Sequence, residues 1–379
     1  MSSSPLRDLS IADLRRRTSI KWRMHAPDVL PMFVAEMDAH PVPAVVEAVS
    51  RAMRDGDTGY PCGDAYPVAF ADFAADRWGW TPEPSRAVGV ADVMTGLREV
   101  VELLTAPGDA VVVNPPVYGP FFAVAERTDR RLVEAPLTPE GRLDLEVLDA
   151  AYARATSDGR AAVHLLCSPQ NPTSVVHSAD ELAAVAALAH RRSVHVVVDE
   201  IHGPVAEGFV PYLAVPGGER GIVASSASKA FNLAGLKAGL LLPGAEADVS
   251  GLHPTVEHGL SHLGVVAHVA ALEHGRDWLD GVRADLAENR VQLARLLDER
   301  LPRVDWNRES GTYLAWLDLR QHALPGEAAA HLLEHGRVAL SPGTEFGAGF
   351  AGFARINLAT SPELLDEGVA RIAAALASA

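Results

Sequence analysis

Two residues stand at the ends of short apolar segments where their chemistry is out of keeping with their neighbours. Lys229 lies in SSASKAFNLAGLKAG, among small and hydroxyl residues that follow a strand-like run. An amine that attacks an aldehyde to form an imine must be partly deprotonated, and desolvation or a nearby cation lowers its pKa enough for that. Ser226, three residues earlier, offers a hydroxyl to a phosphate, and Lys237, eight later, offers a charge. Asp199 closes the apolar run of VHVVVDEIH, at the edge where ligands sit in open α/β sheets. A carboxylate beneath a pyridine nitrogen keeps that ring protonated, and a protonated ring accepts the electron pair left on a substrate carbon. The plain alternatives are a solvated surface lysine and a helix-capping aspartate.

Four further segments point to the same chemistry. In LLCSPQNPTS, Asn171 sits between Gln170 and Pro172, with an amide able to donate to a phenolate oxygen and prolines that fix the turn. In DVMTGLREVVELL, Thr95 and Gly96 open an amphipathic helix, where free N–H groups bind phosphate and glycine permits close approach. Tyr118 in NPPVYGPFF follows a strand and two prolines, placed to stack on a planar ring. Arg355 in FARINLATS brings a bidentate fork for a substrate carboxylate. Taken singly, these are equally an N-P turn, a helix start, a core tyrosine and a structural ion pair.

The elements that must position these residues are legible in the apolar pattern. AVVV (110–113), AVHLL (162–166), VHVVV (194–198), GIVA (221–224) and GLLL (239–242) alternate with helical patterns. Their apolarity is continuous, so both faces are covered, which predicts a mostly parallel central sheet wrapped by helices. PAVVEAVSRAMRD, with Pro43 near its start, predicts the first regular helix. After 256 come a long helical pattern, the strand-like TYLAWLDL, a helix, a Gly-rich loop and ARINLA. The predicted division is a large α/β domain over 46–255, a smaller α+β domain from 1–45 and 256–379, and a hinge at Pro254.

Bulk properties narrow the classes. The chain has 379 residues, enough for two domains, and 48% hydrophobic with 22% charged residues, so it should fold throughout. The net charge is -16, and the only tight basic cluster, Arg15, Arg16 and Arg17, is too short to track a nucleic-acid backbone. Cys62 and Cys167 make neither a disulfide framework nor a zinc site. No apolar segment has the length of a signal peptide or a membrane span, and the expectation is a cytoplasmic protein. GAGFAG (347–352) matches a nucleotide-binding pattern without its strand-turn-helix context. His258 and His262 have metal-pair spacing, but an ordinary helix face explains them, and no metal is expected.

The order along the chain is helix-start glycine, aromatic, N-P turn, strand-end Asp, lysine 30 residues later, late arginine. In this order the chain resembles the fold-type I pyridoxal 5'-phosphate (PLP) enzymes of the class I/II aminotransferase superfamily, from about residue 18 onward. SIKWRMHAPDVLPMFVAEMD, GDTGYP, NPPVYGPFF, DEIH and SKAFNLAGL resemble the bacterial cystathionine β-lyase (carbon-sulfur lyase) branch. The resemblance implies that Lys229 carries PLP as a Schiff base, that Asp199 pairs with the pyridinium, and that Asn171 touches the ring phenolate. It also implies that Tyr118 stacks on the ring, that Thr95, Gly96, Leu97 and Ser226 hold the phosphate with help from Lys237, and that Arg355 holds the substrate carboxylate. Tyr60 would reach the phosphate of a neighbouring subunit, so a homodimer with shared active sites is implied.

The expected reaction is β-elimination from cystathionine or a cysteine S-conjugate, giving a thiol, pyruvate and ammonia. Amino transfer is the alternative, as is a pathway-specific elimination or oxidative decarboxylating deamination; a non-catalytic regulator is the reading from another class. Three departures bear on the substrate. The branch usually reads N-P-H-N-P-T-G where this chain has SPQNPTS, so Gln170 replaces a histidine and Ser174 a glycine, and Gly119 falls where a larger residue is common.

Overall fold

The structure is a computed structural model that describes residues 4–377. It divides into two compact units, the larger made of Pro41–Gln170 and Val176–Arg276. The smaller takes the described residues up to His40, Asn171–Val175, and those from Asp277 onward.

The larger unit is a seven-stranded sheet of β1 (Val88–Val90), β2 (Ala110–Val113), β3 (Arg131–Glu134), β4 (Ala162–Cys167), β5 (His195–Asp199), β6 (Ile222–Ser225) and β7 (Gly239–Pro243). Their order is β1-β7-β6-β5-β4-β2-β3, and every pairing is parallel except the two made by β7. The central strands are buried along their whole length, which is why their sequences are runs of Val, Leu and Ile rather than alternating. The five strands expected from sequence are all present to within a residue or so at each end. Two were not anticipated: β1 is only three residues long, and β3 is an edge strand with Val133 alone buried.

Helices α1 (Pro43–Asp55), α2 (Ala65–Trp78), α3 (Val93–Leu104), α4 (Pro120–Arg127), α5 (Leu145–Ala155), α6 (Ala179–Arg191) and α7 (His262–His274) complete this unit. On α3, Val93, Leu97, Val100 and Val101 recur at helical spacing and are buried in the core with Val111, Leu165 and Val197 of the strands. Helix α7 packs against α1 and α2, so the larger unit runs to Arg276 rather than ending at 255. The backbone at Pro254 opens a short turn, Pro254–Gly259, inside that unit rather than between the two.

The smaller unit contains α8 (Arg276–Arg300), α9 (Ala328–Gly336), α10 (Pro362–Ala377) and an antiparallel sheet. Its strands β8 (Asp305–Trp306), β9 (Leu314–Asp318), β10 (Ser341–Pro342) and β11 (Phe353–Asn357) are ordered β10-β11-β9-β8. Leu30–Pro31 also pairs in parallel with Val338–Ala339. The segment leading to this pair is pinned by a buried ion pair, Lys21 Nζ to Asp38 Oδ2 at 2.9 Å, to which Trp22 Nε1 adds a hydrogen bond. GAGFAG is a loop that follows the turn Gly343–Phe346. His258 and His262 do not share a helix face: the first lies in the turn Pro254–Gly259, and the second opens α7 with Nε2 3.0 Å from Asp57. Among the described residues no helix is long and apolar enough to cross a membrane, and no group of histidine, cysteine and acidic side chains has the arrangement of a metal site.

Candidate active site

The parallel strands of the larger unit end at one edge, and the register shows what they bring there. Cys167, Asp199 and Ala224 are neighbours across β4, β5 and β6, so the segments that follow each begin side by side. These segments carry Gln170 and Asn171 after β4, Glu200 and His202 after β5, and Ser226 and Lys229 after β6. Tyr118 comes five residues after Val113, the last residue of β2, a strand that pairs with β4 on the side away from β5.

Asp199 is the last residue of β5 and is 4% exposed. Its Oδ1 accepts the Ile201 N–H at 3.0 Å. Burial pushes its carboxyl up to about 6, while that hydrogen bond and the positive charge of Lys229 pull the other way. Lys229, half-buried in the turn after β6, is therefore close enough for its charge to be felt at Asp199. Glu200 is buried as well, and burial raises its carboxyl to about 8; Oε1 accepts the Tyr212 N–H at 2.6 Å. Glu200 and His202 were not singled out by the sequence reading, although DEIH places both beside the strand-end acid.

The start of α3 differs from expectation. Asp92 caps it, Oδ1 accepting the Thr95 N–H at 2.8 Å, while the Asp92 carbonyl accepts the Gly96 N–H at 3.0 Å. The amides of Thr95 and Gly96 are thus engaged within the helix, and the Thr95 hydroxyl also bonds the Asp92 carboxylate. Gly96 is closely packed: a Cβ there would lie 2.9 Å from Leu241 Cδ2, in β7, and that side chain would have to shift. Leu97 is buried in the core. Lys237 reaches this helix start by pairing with Asp92 Oδ2 at 2.9 Å, a residue whose N-cap position (Asp three before Thr95) was a readable signal. Ser226 is buried and donates its O–H to the Ala238 carbonyl at 2.7 Å.

Tyr118 is half-buried and meets Phe121 edge to face, ring centroids 6.2 Å apart. Tyr60 is 89% exposed in the loop between α1 and α2. Gly119 has φ −51° and ψ −38°, angles open to any residue, so its backbone does not demand glycine.

In the smaller unit Arg355, in β11, is buried and held through both terminal nitrogens. Its Nη1 donates to Asn171 Oδ1 at 2.8 Å, and Nη2 donates to the Phe33 carbonyl at 2.9 Å and to Ser341 Oγ at 3.0 Å. The guanidinium lies over the Phe346 ring, 4.9 Å from its centroid. Ser174 takes φ +58°, a left-handed angle at which glycine is unstrained. Its hydroxyl donates to the Leu314 carbonyl at 2.7 Å and bonds Thr312 Oγ1, which offsets that strain. The Ser174 departure is therefore accounted for inside this unit.

The residues of the larger unit suit a phosphorylated pyridine aldehyde: a buried acid for the ring nitrogen, an amine whose charge that acid feels, and a hydroxyl with a cation at a helix start. The aminotransferase class I and II family model matches residues 27–372, and the chain belongs to this family. A Mycobacterium tuberculosis protein provisionally named cystathionine beta-lyase is 47% identical, over 99% of both chains. The cystathionine beta-lyase of Corynebacterium glutamicum is 32% identical, over 97% of this chain and 99% of its own. Among solved structures, a Corynebacterium diphtheriae protein provisionally described as a PLP-dependent beta-cystathionase superposes with a TM-score of 0.92. It is 32% identical and covers 98% of this chain and 99% of its own.

Proposed function

We propose that this protein is a PLP-dependent carbon-sulfur lyase that cleaves cystathionine or a cysteine S-conjugate by β-elimination to a thiol, pyruvate and ammonia. The observation that carries the reading is the pairing of whole-length relatives named as cystathionine beta-lyases with a buried acid under the charge of Lys229. Bound PLP supplies an electron sink for the pair left on the substrate Cα when its proton is removed. Lys229 is the attachment amine and then the base that takes that proton. Asp199, as carboxylate, keeps the proton on the ring nitrogen. Tyr118 stacks on the ring. Asn171 has its carbonyl engaged by Arg355, so its NH2 is the side that donates to the ring oxygen. Arg355 holds the substrate carboxylate.

For the phosphate, the Thr95 hydroxyl and Lys237 are at hand once they exchange their bonds to Asp92 for it, with Ser226 joining if its O–H turns from Ala238. Gly96 and Leu97 shape the helix start beneath it. Tyr60 is exposed in the loop between α1 and α2, and those helices expose Val46, Met53 and Val68, which supports a homodimer in which this tyrosine serves the partner's phosphate. The two thiols and the absence of a long apolar helix among the described residues support a cytoplasmic setting. Amino transfer is the second reading, favoured by the name of the matching family model.

The test is pyruvate release from L-cystathionine by protein loaded with PLP, alongside its visible absorption. Lys229→Ala is expected to lose the protein-bound visible band and turnover together. Conversion of bound cofactor to its amine form without pyruvate selects amino transfer. Absence of pyruvate from cystathionine, cysteine and varied S-conjugates overturns the lyase reading.

A further inference from the structure

Gln170 does work that neither the cofactor motifs nor the relatives assign, and it does so wholly within the larger unit. The segment Asn114-Pro115-Pro116 leads from β2 to Tyr118 and is buried. Its two prolines bring no N–H, yet all three carbonyls remain acceptors that need donors out of water. The Leu137 N–H serves the Pro115 carbonyl at 2.9 Å. The other two are served by one side chain: Gln170 Nε2 donates to the Pro116 carbonyl at 2.8 Å and to the Asn114 carbonyl at 3.3 Å. Both partners are acceptors, so the orientation of the amide is determined.

The platform under this clamp is rigid. Asn114 Nδ2 donates to the Ala135 carbonyl at 2.9 Å, so its Oδ1 must accept, and His164 Nε2 donates to it at 2.6 Å. The proton on Nε2 leaves Nδ1 to accept the Tyr152 hydroxyl at 2.7 Å. His164 is fully buried, and burial keeps it neutral, with a pKa down to about 3. Gln170 is itself 1% exposed, and its Oε1 finds no donor among the described residues. An unmatched buried oxygen is costly to a fold, so this amide burdens the structure on one side while its N–H groups order the loop on the other.

We propose that Gln170 is a positioning residue that acts through Tyr118, fixing the backbone two residues ahead of the ring. The inference rests on the reading of Tyr118 as the ring that stacks on the cofactor. A histidine at 170 would have one N–H where Gln170 uses two, a methionine of similar length none, and a glutamate two acceptors facing two carbonyls.

The experiment is a double-mutant cycle of Gln170→Met and Tyr118→Ala, with amide hydrogen exchange at residues 117–119 of the cofactor-free chain as a readout independent of turnover. Gln170→Met is expected to speed that exchange and to lower kcat by about 10- to 100-fold, with little effect in the Tyr118→Ala background. Equal losses in both backgrounds, or unchanged exchange, overturn the proposal. Should Gln170→Met not fold, Gln170→Glu serves: protonation restores one donor, so its activity relative to wild type should rise as pH falls, and a flat ratio overturns it. If the wild-type enzyme binds PLP without releasing pyruvate, the lyase reading fails while the exchange measurement still decides the role of Gln170.

Discussion

Replacing Asp199 by asparagine is expected to stabilise the cofactor-free protein and cripple the loaded enzyme, two opposite effects of one buried carboxylate. In the folded chain burial raises this carboxyl from 3.8 to about 6. The native state therefore holds the proton more tightly than the unfolded state. Stability is full below about pH 4, falls as pH rises from about 4 to about 6, and stays lower above that by about 3 kcal/mol, at about 1.4 kcal/mol per pH unit. Asparagine has no charge to bury and can keep the Ile201 hydrogen bond through its Oδ1. Comparing wild type and Asp199→Asn by denaturant unfolding at pH 4.5 and again at pH 8 (conditions set by the window of about 4 to 6) cancels how well the new amide fits. The variant should gain about 2 kcal/mol relative to wild type between those two conditions. In the loaded enzyme the lost carboxylate no longer holds the ring proton, and since an adjacent opposite charge moves a pKa by about 1–3, kcat should fall by about 10- to 1000-fold. A stability difference that does not change with pH would refute the account of Asp199 as a buried, disfavoured charge. Full turnover by the variant would refute its role under the ring.

Arg355→Lys keeps the charge but cannot reproduce donation to Asn171, Phe33 and Ser341 together, so KM for the amino-acid substrate should rise by about 10- to 100-fold, read from steady-state kinetics, and an unchanged KM removes Arg355 from the carboxylate site. Ser174→Ala retains the strained φ of +58° but strips the hydroxyl from Leu314 and Thr312; unfolding should show a loss of about 1–3 kcal/mol, with kcat little changed if Ser174 is purely structural.

Much of this protein was legible before folding, for identifiable reasons. The strands buried on both faces had to be continuous apolar runs, so AVVV, AVHLL and VHVVV marked the parallel sheet and, through its carboxyl edge, the neighbourhood of Asp199. Motif order along the chain was enough to place it in its family. Short edge strands escaped because β3 has one buried residue and no pattern to read. The boundary after α7 escaped because a helix joins whichever surface covers its apolar side, and α1 and α2 are distant in sequence.

Only the tertiary structure decided which of the marked groups are available and which are already bound. Composition and spacing determine what a residue can donate or accept; they do not say who its partner is. Gly96 reads in sequence as a close approach to phosphate, but in the fold it is the gap that admits Leu241. Lys237 reads as a phosphate cation, and it is paired with Asp92. Gln170 reads as a lost histidine, and its amide holds two carbonyls that the prolines of the next strand's loop leave without donors. Partners such as Gln170 and Asn114 lie 56 residues apart, a distance over which no local pattern carries information and only packing brings the groups together.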